Sequence, residues 1–365
     1  MSLEAPYALL AELTHRCPLR CPYCSNPVDL VRRSQELDTA TWKHVLRQAA
    51  EMGILQIHFS GGEPTARRDI EELVGYAEAQ GLYTNLITSG ILSDAKQIER
   101  LVDAGLAHVQ VSIQDSDVDN GDWIAGYPGA QQKKLALAAT VEAAGLALTI
   151  NAVIHRQNID RVSEMIDLAV AMKAQRVEIA NVQYYGWGIR NRRYLMPSLA
   201  QLKTMDKLVK ARIVELQGVI VIDYVVPDYY AHRPKACMNG WGRQFINITP
   251  EGKVLPCHAA ETIPGLIFGN VKETALQEIW AESDAFNRYR GTEWMPEPCH
   301  SCDRREIDWG GCRCQALALT GDAANPDPVC ELVPGHAQVL QTAFEDSRDI
   351  EVNFDYRNFG GAKRS

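Results

Sequence analysis

Nowhere does this 365-residue chain approach the roughly 18 consecutive apolar residues of a membrane span. Nor does the N-terminus carry the basic stretch and apolar core of a secretory leader, so a cytoplasmic protein with no membrane partner is expected. A basic excess is missing too. With 46 acidic against 37 basic residues the net charge is −9, the wrong sign for a general nucleic-acid binder. Cysteine is absent between Cys24 and Cys237, and the ten cysteines therefore fall into two groups. In a reducing compartment they stay available for metal rather than forming a disulfide framework.

The first group also lacks something. Cys17, Cys21 and Cys24 stand as Cys-x-x-x-Cys-x-x-Cys with no fourth ligand nearby. Structural zinc and electron-transfer clusters normally have every coordination position filled, whereas three thiolates on one loop can hold three corners of a 4Fe-4S cube and leave its fourth iron open. The alternative is a zinc knuckle that borrows a distant ligand, since thiolates suit both metals. Context favours the open iron. Residues 9–13 form an apolar run consistent with a buried strand, so the cysteine loop leaves a strand end, where α/β proteins build their sites.

Length and an apolar fraction of 46% fit a main domain with a smaller second one. Strand-like stretches at 8–13, 55–59, 83–88, 108–113, 147–153 and 176–180 alternate with amphipathic stretches at 39–52, 70–80, 94–104, 131–144 and 159–174. Gly53, Gly81, Gly105 and Gly145 each follow a helical stretch and precede a strand. Six such units predict an α/β fold built as a partial barrel. The second strand ends directly in Gly61-Gly62-Glu63-Pro64.

The cysteine triplet and this glycine turn, each placed after a strand, resemble the radical S-adenosylmethionine (SAM) superfamily. The resemblance implies a partial (β/α)6 TIM-like barrel of the radical SAM type, with Cys17, Cys21 and Cys24 binding a 4Fe-4S cluster whose fourth iron is chelated by SAM. It places Gly61, Gly62 and Glu63 along the methionyl amine. Glycines permit close backbone approach there, and a carboxylate or carbonyl accepts from an ammonium. Ser112 and Gln114, at the end of the fourth strand, match residues that meet the ribose hydroxyls, and Asn151 matches another polar SAM contact. Each is otherwise an ordinary polar strand residue. Thr88-Ser89-Gly90 stands where relatives have Thr-Asn-Gly, so Ser89 is not included. Residues 181–188, rich in polar and aromatic groups, would overhang the barrel mouth as a substrate wall or pack a following domain.

The remaining cysteines run Cys237, Cys257, Cys299-x-x-Cys302, Cys312-x-Cys314 and Cys330 through a glycine- and proline-punctuated region that needs metal staples, with two zinc sites as the alternative. This layout resembles the SPASM domain, over about 233–335, which implies two auxiliary iron–sulfur clusters of either 4Fe-4S or 2Fe-2S type. Asp308 stands where the family's core has its third cysteine. The resemblance assigns one cluster to Cys299, Cys302, Asp308 and Cys330, and the other to Cys237, Cys257, Cys312 and Cys314. A carboxylate ligand should alter the reduction potential.

Asp308, Cys314 and the run Asn181-Val182-Gln183-Tyr184 further resemble the radical SAM peptide cyclases of pyrroloquinoline quinone biosynthesis. That resemblance implies an oxidoreductase joining a glutamate γ-carbon to a tyrosine ring carbon within a ribosomal precursor peptide. It also implies a peptide chaperone and a low-potential electron donor such as flavodoxin or ferredoxin as partners. Two alternatives are another SPASM peptide modifier, forming thioethers or oxidising Cys or Ser, and a non-catalytic electron-transfer protein. The expected organisation is a barrel over 1–190, a helical and strand bridge over 191–232, the auxiliary-cluster region over 233–335, and a C-terminal helix with a mobile tail over 336–365.

Overall fold

The structure is a computed structural model, described here for residues 4–225 and 228–357. Its first half alternates strand and helix: β1 (Ala8–Thr14), α1 (Thr39–Glu51), β2 (Gln56–Gly61), α2 (Ile70–Ala79), β3 (Tyr83–Thr88), α3 (Ala95–Asp103), β4 (His108–Ile113), α4 (Val118–Ala125), α5 (Ala130–Ala143), β5 (Ala147–Ile154), α6 (Val162–Ala171) and β6 (Arg176–Asn181). The six expected strands and five expected helical stretches are all present. Gly53, Gly81, Gly105 and Gly145 each take a left-handed φ at a helix end, which is why these turns are glycine. Helix α4 was not anticipated. It is short, opened by Asp117 accepting from Asn120 N at 2.8 Å and closed by left-handed Gly126.

The sheet is larger than the six strands expected, and it is open. Beyond α7 (Gly186–Arg190), α8 (Arg192–Leu195) and α9 (Leu199–Glu215), β7 (Val221–Val225) pairs parallel with β6, in register Arg176 to Val221. On the other flank β8 (Phe245–Ile248) runs parallel to β1, and β9 (Val254–Leu255) closes that edge antiparallel. The order is β7-β6-β5-β4-β3-β2-β1-β8-β9. One sheet therefore crosses the sequence boundaries expected near 190 and 233. Alternating residues of each strand face the helices: Leu9, Ala11 and Leu13 of β1, with Ile57 and Phe59 of β2, are fully buried against Trp42, Val45 and Leu46 of α1. Each such Leu, Ile, Val or Phe side chain contributes about 1.5–3 kcal/mol of burial.

The tail departs from expectation. A last helix, His336–Asp346, is present, but residues 350–357 do not form a free end: Phe354 and Arg357 are buried at 7% and 2% exposure. The polar composition of 349–365 concealed two side chains that pack onto the barrel mouth. Residues 358–365 lie outside the described residues.

Candidate active site at the carboxyl ends of the strands

The strand ends open into a cavity of about 490 Å³. Cys17, Cys21 and Cys24 line it from the loop after β1, and Gly61 and Gly62 from the end of β2. The two loops interlock. Gly62 N donates to Thr14 O at 2.5 Å and Glu63 N to Arg16 O at 2.7 Å. A Cβ on Gly61 would stand 2.3 Å from Thr14 O, and one on Gly62 2.4 Å from Arg16 O, so the glycines are demanded by backbone packing against the cysteine loop. Burial pushes the Cys17 thiol up to about 12 and the Cys21 thiol to about 11. Without metal these thiols hold their protons, and metal binding must displace them.

Glu63 takes a different place from the one its motif suggests. It is fully buried and does not line the cavity. Its carboxylate accepts from Thr65 N (3.1 Å), Thr65 Oγ1 (2.7 Å), Thr88 Oγ1 (2.8 Å), Ser89 N (2.7 Å) and Ser89 Oγ. It therefore ties the end of β2 to the end of β3, a structural duty performed through the Thr88-Ser89 turn. Ser89 itself does line the cavity.

Ser112, Asn151 and Glu178 are successive cross-strand neighbours on β4, β5 and β6, and all three line the cavity. Asn151 Nδ2 donates to Glu178 Oε2 at 2.7 Å, and burial raises the Glu178 carboxyl above its usual range. Gln114 also reaches the cavity, while its Oε1 accepts from Nζ of Lys134 on α5, a fully buried lysine whose pKa burial lowers to about 8. The aromatic segment after β6 divides. Asn181, Val182, Gln183 and Tyr185 line the cavity, whereas Tyr184 packs edge-on against Tyr229, with ring centroids 5.0 Å apart, and Trp187 is buried.

The later cysteines form two neighbourhoods. The first gathers buried Cys257 and Cys314 in one packed cluster with Cys237 and Cys312 against it. In the second, Cys299 feels the charges of Cys330, Asp308 and Cys302. Asp308 is 8% exposed, with Oδ1 accepting from Gly310 N at 3.2 Å and Oδ2 from Arg304 Nε at 3.4 Å. Among the described residues no three cysteine, histidine or carboxylate side chains meet at the spacing of a single bound ion.

Several cavity residues carried no sequence signal, among them Glu12, Glu178, His258 and Arg357. His258 adjoins Cys257 in sequence, and its Nε2 is hydrogen-bonded to Tyr185 OH, so this pair stands between the cavity and the Cys237–Cys314 neighbourhood. Burial keeps the imidazole neutral by lowering its pKa and pushes the Tyr185 phenol well up.

Residues 11–169 match the Radical SAM superfamily, and residues 237–303 match an iron–sulfur cluster-binding domain, SPASM. Cys312, Cys314 and Cys330 lie beyond that second match. A protein of Granulibacter bethesdensis described as PqqA peptide cyclase is 56% identical over 99% of this chain and 96% of its own length. A protein of Methylobacterium nodulans with the same description is 58% identical over 99% and 96%. Among solved structures, Streptococcus suis SuiB bound to the precursor peptide SuiA shares the fold with a TM-score of 0.73 at 22% identity, over 90% of this chain and 76% of SuiB. The SAM-bound anSMEcpe shares it at 0.66 and 17% identity, over 93% and 96%. No helix among the described residues is long and apolar enough to cross a membrane. With a parallel open sheet, three cysteines at its mouth and near end-to-end identity to these relatives, the chain belongs to the radical SAM superfamily and, within it, to the PqqA peptide cyclase family of enzymes.

Proposed function

We propose that this enzyme cyclises a ribosomal precursor peptide by joining a glutamate γ-carbon to a tyrosine ring carbon, in the synthesis of pyrroloquinoline quinone. The observation that carries this reading is the 56–58% identity over nearly the whole chain to PqqA peptide cyclases, on a chain whose cavity gathers the three N-terminal cysteines with Ser112, Gln114 and Asn151. The donor set fits a 4Fe-4S cluster with SAM: three thiols on one loop, a glycine-floored wall and polar strand ends within one cavity. When bound, that pair supplies a primary carbon radical able to remove a hydrogen atom from the peptide.

The chain's own residues orient and finish the reaction. Asn151, held by Glu178, presents its amide at a fixed angle, and Ser112 and Gln114 offer a hydroxyl and an amide to ribose. Joining the carbons leaves the ring needing to lose one proton and one electron. Among the described residues lining the cavity the carboxylates are Glu12 and Glu178, and burial raises the Glu178 carboxyl above its usual range, which favours it as a proton acceptor. Tyr185 and His258 line the cavity, and Tyr185 packs against the Cys237, Cys257, Cys312 and Cys314 group, so a cluster held there would supply an electron acceptor beside the cavity. The peptide chaperone and a low-potential flavodoxin or ferredoxin complete the system.

Asp308 is proposed as a ligand with Cys299, Cys302 and Cys330. Asp308→Ala is expected to lower iron content or change the spectrum of one auxiliary cluster while the SAM-responsive signal persists; unchanged iron and spectrum would refute ligation. The function is tested by incubating anaerobically reconstituted enzyme with SAM, reductant, chaperone and a precursor peptide, then measuring 5'-deoxyadenosine and peptide mass together. A two-hydrogen loss mapped to a Glu–Tyr link is expected. A thioether or oxidised side chain would point to a different SPASM modification, and no 5'-deoxyadenosine would remove the catalytic reading.

A further inference from the structure

One wall of the cavity lies outside both matched regions, because the C-terminal segment supplies it. Phe354 packs between Trp123 and Tyr194, with centroids at 5.0 and 6.0 Å, and against Val182 and Leu195. The fully buried Asn191 then stitches this segment to the cysteine loop: Oδ1 accepts from Asp355 N at 2.7 Å, and Nδ2 donates to Asp355 O at 3.0 Å and to Pro22 O at 2.9 Å. Two residues on, Arg357 enters the cavity at 2% exposure. Its Nη2 donates to Leu19 O at 2.9 Å, and its Nη1 lies 3.5 Å from Cys24 Sγ. With the Asn26 amide turned to donate to Gly61 O, the Asn26 oxygen also accepts from Arg357 Nη1 at 3.2 Å. Among the described residues lining the cavity, Arg357 is the only arginine or lysine.

We infer that Arg357 is a positioning residue for the N-terminal cluster: the C-terminal segment delivers its guanidinium to the Cys24 sulfur, where it fixes the cysteine loop and raises the reduction potential of the cluster held there. This rests on the proposed ligation by Cys17, Cys21 and Cys24. A guanidinium stays charged in any protein setting. A neutral thiol is a weak acceptor, whereas a thiolate receives a charge-assisted bond, so the contact suits Cys24 in its ligating form. Hydrogen bonds to cluster sulfurs and fixed charge in a buried setting are two of the levers that set iron–sulfur potentials. A positive charge stabilises the reduced, more negative state, and reduction of this cluster precedes all later chemistry. The same contacts brace Leu19, Pro22 and Cys24, so the loop takes its binding shape only with the segment in place.

The test compares full-length wild type with Arg357→Met and Arg357→Lys. One readout is the midpoint potential of the SAM-perturbed EPR signal, followed by redox titration. The other is amide hydrogen exchange at residues 17–27 in metal-free protein. The Met variant is expected to shift the midpoint negative by about 59 mV or more, a tenfold loss in the one-electron reduction equilibrium, and to speed exchange in the loop. Lys should recover at least half of the shift. Should the Met variant fail to hold the cluster, retention by Lys supports the role of charge and loss in both variants overturns it. An unchanged midpoint with unchanged exchange, or equal shifts in Met and Lys, also overturns it. A wild type with no SAM-perturbed signal would remove the three-cysteine reading, and this inference with it.

Discussion

Cys21→Ala is expected to abolish 5'-deoxyadenosine formation, a loss on the order of 10³-fold or more, as when one member of a unit that acts together is removed. Cys21 is one of three thiols on a single loop, and no cysteine occurs between Cys24 and Cys237 to replace it. The effect should be local. The Cys237–Cys257–Cys312–Cys314 and Cys299–Cys302–Cys330 neighbourhoods lie in a separate stretch of chain, so their iron and spectra should persist while the SAM-responsive signal disappears. Iron content, EPR with and without SAM, and nucleoside product measured on one preparation check this. Full 5'-deoxyadenosine production by the variant would mean that the radical chemistry is seated elsewhere.

On the proposed mechanism the auxiliary region would serve the steps after the first radical forms. The Tyr185–His258 contact brings the thiol group around Cys257 to the edge of the cavity, where an auxiliary centre held by those thiols would have a place in the chemistry beyond stapling loops. The other group lies around Asp308 and has no sequence neighbour in the cavity lining, as Cys257 has in His258. The two sites are thus unequal in position, and the Asp308 substitution probes the one set back from the cavity.

Much of the barrel was legible because each unit repeats one pattern: an apolar run, an amphipathic stretch and a glycine whose left-handed φ turns the chain back into the sheet. Strand β7 fell within the helical and strand bridge without being singled out, and β8 and β9, four and two residues long, are too short for periodicity to stand out. Their pairing is set by tertiary packing. The grouping of Cys17, Cys21 and Cys24 at the cavity was legible from spacing, because residues that meet on one loop must be close in sequence. Spacing gives a residue's place along the chain but not the direction of its side chain, and Glu63 shows the difference. Its motif marks the cavity wall, yet its carboxylate turns inward to Thr65, Thr88 and Ser89. Arg357 was hidden for the opposite reason, lying far along the chain from the cysteine it meets, in a tail whose polar composition reads as solvated.

That inward turn makes Glu63 the residue whose loss should cost most in folding free energy. Glu63→Ala would leave the Ser89 and Thr65 amides and the hydroxyls of Thr65, Thr88 and Ser89 facing an empty, fully buried site. Each buried donor left without a partner costs about 1–3 kcal/mol, and rotation of the hydroxyls toward other acceptors recovers part of it. A net destabilisation of about 3–5 kcal/mol is expected from these unpaired donors together with the space left behind. Glu63→Gln keeps the shape and one acceptor oxygen but turns an NH2 group toward donors, so about 1–3 kcal/mol is expected. Urea unfolding of the metal-free protein should rank wild type above Gln and Gln above Ala. If Glu63 instead acted mainly by accepting from the SAM ammonium, both variants would unfold like wild type and lose only SAM affinity. Because the carboxylate pins Ser89 beside the cavity, stability and SAM binding should fall together.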